Sequence, residues 1–171
     1  MIGRQAPPYS VTPTPPSPAL RLRLSPLVYN ARMTVALRLR REHIDAMISH
    51  ALEDAPIECC GVLAASDGVV AAVVRARNKE ASPYRFTIDP LEYAKLERAM
   101  DAAGTTPVGF YHSHTGSEPI PSPTDVRAMG AFFGPPYVHF VIGVKDREQP
   151  QVRMWFIQDG DKTEQQFEII E

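Results

Sequence analysis

Two histidines in the middle of the chain, His112 and His114, are separated by a single residue, and Asp125 follows eleven positions after the second. On an extended chain, residues i and i+2 point to the same side, so the two imidazoles are expected to project together. Two imidazoles and a carboxylate can bind one zinc ion and leave its fourth position open for water. Zinc lowers the pKa of such a water to about 7, so this spacing is compatible with a metal site that activates water.

Simpler explanations exist for both halves of this pattern. A His-x-His pair in a strand is more often structural than metal-binding. The run Ser122-Pro123-Thr124-Asp125 is also typical of a helix start, with serine at the N-cap, proline at the first helical position and an acid placed for a capping box. The two interpretations are compatible, because a helix that begins here could itself position Asp125. The spacing of these residues alone does not decide between a metal site and a purely structural role.

A longer motif around these residues resembles the signature of the JAMM (MPN+) metalloprotease family. Every fixed position of that signature is matched by the run His112-Ser113-His114-x7-Ser122-x2-Asp125. The family also has a glutamate well upstream, and Glu58, within residues 57–63, looks like its Glu-x-Cys-Gly element. The stretch 111–125 is similar to bacterial members that act on ubiquitin-like sulfur carriers. The resemblance covers about residues 34–170.

The resemblance implies a role for each of these side chains. His112, His114 and Asp125 would hold one zinc ion per chain. Glu58 would take a proton from the zinc-bound water and pass it to the leaving amine. Ser122 would hydrogen-bond the oxyanion or the attacking water.

Two further residues lie beside the histidines. Ser113 and Thr115 are predicted to bind substrate or to orient the ligands. Many eukaryotic deubiquitinases of the family have proline at the position of Thr115, and they carry substrate-binding insertions where this chain has short connections. These departures put ubiquitin-chain specificity in doubt, but not the hydrolytic chemistry.

The function implied by the resemblance is a zinc-dependent peptidase or isopeptidase. Its substrate would be the bond after the C-terminal Gly-Gly of a ubiquitin-like or sulfur-carrier protein, with release of cysteine in cysteine biosynthesis. The alternative is a deconjugating isopeptidase that removes a ubiquitin-like modifier from lysines. A non-catalytic MPN scaffold is disfavoured, because inactive relatives lack the metal ligands. A homodimer is left open.

Composition excludes several other classes. The net charge of the 171 residues is −2, but residues 1–41 hold seven arginines and no acid, so the remainder is clearly acidic. An acidic body argues against nucleic acid as a partner, and no apolar run is long enough to span a membrane. Cys59 and Cys60 are adjacent and are not expected to pair. The chain is therefore predicted to be a reduced, cytoplasmic protein.

Proline content divides the chain into two parts. Residues 1–32 contain seven of the 17 prolines and no helical or strand period, which predicts a disordered Pro/Arg-rich tail. This tail could be a transit peptide, a basic arm or an over-long start that precedes Met33. Residues 33–171 are predicted to form the JAMM/MPN+ metalloprotease domain.

The elements that must position the site follow from periodicity. An α/β (α+β) fold is expected, a mixed β-sheet flanked by helices, and the resemblance implies MPN/JAMM-like topology with cytidine-deaminase-like layering. His43 and His50 flank the apolar stripe of the first helix and are predicted to be surface or boundary residues. Helices are predicted at 41–55, 90–103 and 122–129, and strands at 34–39, 61–65, 69–75, 85–88, 107–111, 137–144, 152–158 and 164–170.

Overall fold

The computed structural model describes residues 36–171, which form one mixed β-sheet and three helices. The predicted tail, residues 1–32, lies outside the described residues, so its disorder and the domain boundary stay predictions. The helices are α1 (Arg41–Asp54), α2 (Pro90–Ala102) and α3 (Pro123–Phe132). The strands are β1 (Leu37–Arg40), β2 (Cys60–Ser66), β3 (Val69–Ala76), β4 (Thr106–His114), β5 (Val138–Gly143), β6 (Gln151–Gln158), β7 (Asp161–Gln165) and β8 (Phe167–Ile170).

The eight strands have the order β7-β6-β5-β4-β2-β3-β1-β8. Strand β4 lies near the centre, antiparallel to β2 and parallel to β5. Both neighbours are almost entirely buried, and their near-continuous apolar sequences are typical of strands covered on both faces. The histidine strand is thus embedded in the sheet rather than placed at its edge.

Helices cover both faces of the sheet, and each face has its own apolar core. On one face, Ile44 and Met47 of α1 pack with Tyr111 of β4. On the other face, Met100 of α2 packs with Phe110 of β4, and α3 packs against the residues around Ile157. Because side chains alternate along a strand, His112 and His114 share the face of Phe110. The candidate ligands therefore lie on the side that α2 and α3 cover.

The sequence predictions for most elements are confirmed to within a few residues, including the mixed sheet flanked by helices. Asp89 caps α2, since its Oδ1 accepts hydrogen bonds from the N–H groups of Leu91 and Glu92. Two elements are longer than predicted: β4 runs through both histidines, and α3 continues to Phe132. Among the helices of residues 36–171, none is long and apolar enough to cross a membrane.

Two predicted strands are wrong. Residues 85–88 form a loop with one isolated bridge, Asn78 to Ile88, because the Asn78 side chain binds the backbone of this segment. The single strand predicted at 164–170 is two strands that meet at Gln166. Strand β7 pairs with β6, whereas β8 pairs with β1 at the other end of the strand order. One stretch of chain therefore occupies both edges of the sheet.

The surface or boundary position predicted for His43 and His50 is also wrong, because both are buried. His50 Nδ1 lies 2.8 Å from the Tyr111 hydroxyl, and its Nε2 lies 3.3 Å from Asp54 Oδ2. These polar partners satisfy the imidazole within the core between α1 and the sheet. Cys59 and Cys60 are unpaired, as predicted, and the structure shows that both thiols are buried.

Candidate metal centre

The two histidines project from the end of β4 into a buried space. His112 is 1% exposed and His114 is 5% exposed, and their Nε2 atoms are 3.3 Å apart. The pairing of β4 with β2 and β5 extends to these residues, with His112 opposite Cys60 and Val141. Both imidazoles are therefore held by the sheet backbone before any ligand arrives.

The third member of the group comes from the first turn of α3. A capping box joins Ser122 and Asp125: the Ser122 N–H donates to Asp125 Oδ2 at 2.6 Å, and the Asp125 N–H donates to Ser122 Oγ at 3.2 Å. Asp125 Oδ2 is also 3.3 Å from His114 Nε2 and 3.5 Å from His112 Nε2. Asp125 is thus both the N3 partner in the capping box of α3 and the carboxylate of the candidate site, so the helix start is confirmed and is compatible with a metal site.

These three donors fit a zinc ion. Ligands at 2.0–2.1 Å in a tetrahedral shell lie about 3.3 Å from each other, which matches the separations of the two Nε2 atoms and Oδ2. His114 Nδ1 lies 2.8 Å from the Glu118 carbonyl oxygen. A proton on Nδ1 is donated to that carbonyl and leaves the Nε2 lone pair free for a metal, as in many metal-ligating histidines. His112, His114 and Asp125 are therefore a group that could hold a metal ion.

The charges of the group also suit a cation. Burial acts to raise the pKa of Asp125, but the hydrogen bonds from the two histidines outweigh it and hold the pKa well below the usual range. Burial lowers the pKa of His112, against the opposing influence of Asp125. Burial acts in the same sense on His114, yet its bonds to Asp125 and to the Glu118 carbonyl leave its pKa raised. The Asp125 carboxylate and a neutral His112 are in the forms that metal binding requires, whereas His114 has to lose its proton when a metal binds.

Glu58 lies close to this group, on the segment between α1 and β2. The side chain is buried, and its Oε2 has no hydrogen-bond partner among residues 36–171. Burial raises the pKa of Glu58 to about 7; the positive charge of His114 lowers it and the negative charge of Asp125 raises it. A buried carboxyl with a free oxygen and a pKa near neutrality is suited to accept and return a proton.

Ser113 and Thr115 both attach the segment that carries Glu58 to β4. Ser113 is fully buried, and its hydroxyl oxygen accepts a hydrogen bond from the Cys59 N–H at 2.8 Å. The Thr115 hydroxyl donates to the Pro56 carbonyl at 3.1 Å. Since Ser113 has no exposed surface, we expect it to orient its neighbours rather than to touch a substrate. Thr115 is half-buried beside the same segment.

Sequence reasoning missed two residues that complete the site. The Phe86 ring stacks on His112 with ring centroids 4.3 Å apart, and the Asn78 side chain binds the Glu58 carbonyl at 2.9 Å. No spacing rule links either residue to His112 or Glu58. Phe86 also lies in the segment that was predicted to be a strand, where its position over the site could not be anticipated.

The chain was compared with known families and proteins. Residues 40–158 match a family described as prokaryotic homologs of the JAB domain. A CysO-cysteine peptidase of Mycobacterium tuberculosis is 36% identical over 138 residues, which is 79% of this chain and 92% of that protein. A desampylase of Haloferax volcanii is 38% identical over 112 residues, which is 61% of this chain and 78% of the relative.

Solved structures agree with these sequence matches. A protein from Desulfitobacterium hafniense has 27% identity and a TM-score of 0.70, and the match covers 78% of this chain and 92% of that one. A JAB1/MPN domain protein from Archaeoglobus fulgidus has a TM-score of 0.54 at 16% identity, over 80% of this chain and 99% of its own. At that identity the second likeness shows the fold alone.

Proposed function

From the premise that the chain belongs to the prokaryotic JAB-domain family and is a JAMM-type metallopeptidase, we propose that it hydrolyses the bond after the C-terminal Gly-Gly of a ubiquitin-like sulfur-carrier protein. The observation that carries the proposal is the convergence of His112, His114 and Asp125 beside the unpartnered carboxyl oxygen of Glu58. Burial of a carboxyl oxygen without a hydrogen-bond partner costs free energy, and a non-catalytic scaffold would gain nothing that offsets this cost.

Under this proposal each residue has a defined task. His112, His114 and Asp125 would hold one zinc ion per chain, and a bound zinc would supply Lewis-acid chemistry that acidifies water and polarises a carbonyl. Glu58 would accept a proton from the attacking water and return it to the nitrogen of the leaving amine. Its pKa of about 7 supports both halves of this exchange, because the group is then neither firmly charged nor firmly neutral at physiological pH.

Ser122 is the proposed stabiliser of the oxyanion. Its hydroxyl oxygen accepts the Asp125 N–H, and the Ser122 side chain also hydrogen-bonds the Asp125 carboxylate. Donation to a negatively charged oxygen would therefore require the hydroxyl proton to turn from that carboxylate to the oxyanion. The same capping box fixes the backbone of Ser122 relative to the Asp125 carboxylate. One helix terminus would thus align a metal ligand with an oxyanion donor.

The names of the relatives support a choice of substrate. The Mycobacterium tuberculosis relative is named as a peptidase of a CysO-cysteine conjugate, and it is matched over nearly its whole length. We therefore favour release of cysteine from a sulfur carrier, in cysteine biosynthesis. The desampylase relative supports the alternative, in which a ubiquitin-like modifier is removed from lysines.

The proposed setting follows from the same reasoning. The buried free thiols of Cys59 and Cys60 suit a reducing compartment, and a cytoplasmic location is part of the proposal. The partner is a ubiquitin-like protein, and neither nucleic acid nor a membrane is invoked. No finding supports a homodimer, which forms no part of the proposal.

The test compares two conjugates of one sulfur carrier, one ending in Gly-Gly-cysteine and one joined through Gly-Gly to a lysine side chain. We expect zinc-loaded protein to cleave the cysteine conjugate faster, and we expect a chelator or the Glu58→Gln substitution to abolish cleavage. Faster cleavage of the lysine conjugate would transfer the assignment to deconjugation. Cleavage that survives both the chelator and Glu58→Gln would refute the mechanism.

A further inference from the structure

A single buried amide organises the loop between β3 and α2. Asn78 is 9% exposed, and its Nδ2 donates to the carbonyl oxygens of Glu58 and Arg85, both at 2.9 Å. Its Oδ1 accepts from the N–H groups of Glu80 at 3.0 Å and Thr87 at 3.1 Å. A carboxamide has two N–H donors and one oxygen with two lone pairs, so these four hydrogen bonds use its full capacity.

The loop that Asn78 organises touches the candidate metal centre at two points. The Ser82 carbonyl oxygen accepts the Glu58 N–H at 3.0 Å. The Phe86 ring is buried against His112, with an angle of 17° between the ring planes. Displacement of this loop would therefore be felt both by the proposed general base and by a proposed metal ligand.

Glu58 depends on its backbone for its position. Its Oε2 forms no hydrogen bond with any described residue, so that side of the carboxylate is not held by a partner. Its N–H and C=O groups, by contrast, are bound by the Ser82 carbonyl and the Asn78 amide. Two backbone anchors on one residue restrict where the carboxylate can lie, because only its side-chain torsions remain free.

Resting on the proposed function, we propose that Asn78 is a positioning residue, which aims the Glu58 carboxyl by holding the Glu58 carbonyl and the loop over His112 in one hydrogen-bonded unit. Asn78 acts through Glu58 and touches neither substrate nor metal. A misplacement of about 1 Å in a catalytic group can cost on the order of 100-fold in rate. The proposed metal donors themselves come from β4 and α3, so the number of zinc ions bound per chain should not depend on Asn78.

The discriminating substitution is Asn78→Asp in the full chain. A carboxylate keeps both acceptor bonds to Glu80 and Thr87 but has no donor for the Glu58 and Arg85 carbonyls. The matched control is Thr87→Val, which removes the Thr87 hydroxyl bond to Glu80 in the same loop without touching Glu58. We expect Asn78→Asp to bind zinc with unchanged stoichiometry and to lower kcat by about 10- to 100-fold with little change in KM.

A second readout is independent of turnover. Amide hydrogen exchange in the metal-free protein should accelerate in residues 56–60 and 79–88 for Asn78→Asp, and not for Thr87→Val. Should Asn78→Asp fail to fold, Asn78→Ser keeps one donor and one acceptor and takes its place. A folded variant with wild-type kcat and wild-type exchange at residues 56–60 would overturn the inference. If the wild-type chain has no chelator-sensitive activity, the proposed function fails, while the exchange measurement still decides whether Asn78 anchors Glu58.

Discussion

Replacing Glu58 by glutamine should make the metal-free protein more stable while it removes catalysis. The folded protein keeps this carboxyl out of water, and burial raises its pKa from 4.5 to about 7. Each unit of pKa difference is worth about 1.4 kcal/mol. Glutamine has the same shape and no charge, so it should avoid a cost of up to about 3 kcal/mol that the wild type bears when Glu58 is ionised.

The pH dependence of the stabilisation by Glu58→Gln follows from the raised pKa of Glu58. An acid whose folded pKa is raised contributes its full stability below the unfolded pKa and loses it as the pH rises through the folded pKa. The penalty is therefore small near pH 5 and complete at pH 8.5. We expect Glu58→Gln to raise the free energy of unfolding by about 3 kcal/mol at pH 8.5 and by about 1 kcal/mol or less at pH 5.

The assay is urea denaturation of chelator-treated wild type and variant at the two pH values. Glu148→Gln is the matched control, because Glu148 is exposed on the loop after β5 and should give no pH-dependent difference. A stabilisation that is equal at both pH values would show that charge burial is not its cause. A variant less stable than the wild type at pH 8.5 would refute the reasoning altogether.

Three further outcomes follow from the same contacts. Asp125→Asn keeps an oxygen that accepts the Ser122 N–H, so α3 should persist, but it loses the negative charge on the proposed metal-ligating oxygen. Zinc affinity, measured by competition with a chelator, should therefore fall by more than about 100-fold. Unchanged affinity would exclude Asp125 as a ligand. Zinc affinity should be on the order of tenfold lower at pH 6 than at pH 8, because protons then compete for His114, whose pKa is raised in the metal-free site; a flat pH dependence would contradict this. Gly61→Ala places a Cβ 2.3 Å from the Tyr111 ring and should lower the free energy of unfolding, measured with urea, by about 3 kcal/mol. The control Gly116→Ala, whose Cβ would have nothing within 4 Å, should lower it much less. Equal losses would refute the steric argument.

The metal donors could be anticipated because local rules place them. Alternation along a strand puts His112 and His114 on one side, and a serine cap with an acid three residues later fixes Asp125 at a helix start. Both rules act over a few residues, and both hold in the structure. Local geometry therefore accounts for the histidine pair and for the helix start separately, whereas their meeting in one group was implied only by the family resemblance.

The remainder of the site depends on pairings between distant segments. Glu58 meets the histidines because β2 pairs with β4, and that pairing places Cys60 opposite His112. Nothing in the residues near Glu58 specifies this partner, and only the resemblance to a family singled it out. The position of Phe86 over His112 has the same origin, since it depends on hydrogen bonds from Asn78 to a loop without regular structure.

The prediction of a single strand at 164–170 failed because the neighbouring strands, and not the residue pattern, decide where a strand ends. Residues 164–170 have the composition of one strand, but β7 and β8 bind different neighbours. His43 and His50 were misplaced for a related reason, because their burial depends on groups such as the Tyr111 hydroxyl that the helix alone does not reveal.

The occupation of both sheet edges by residues 161–170 also constrains the order of events during synthesis. Strand β1 pairs with β3 at one position only, Arg38 with Val69, whereas it pairs with β8 at four positions. Strand β1 therefore gains most of its backbone pairing from β8, which is synthesised more than 120 residues later. Such long-range closure delays folding, so nascent chains that lack residues 167–170 should expose β1 and be more susceptible to proteolysis and aggregation.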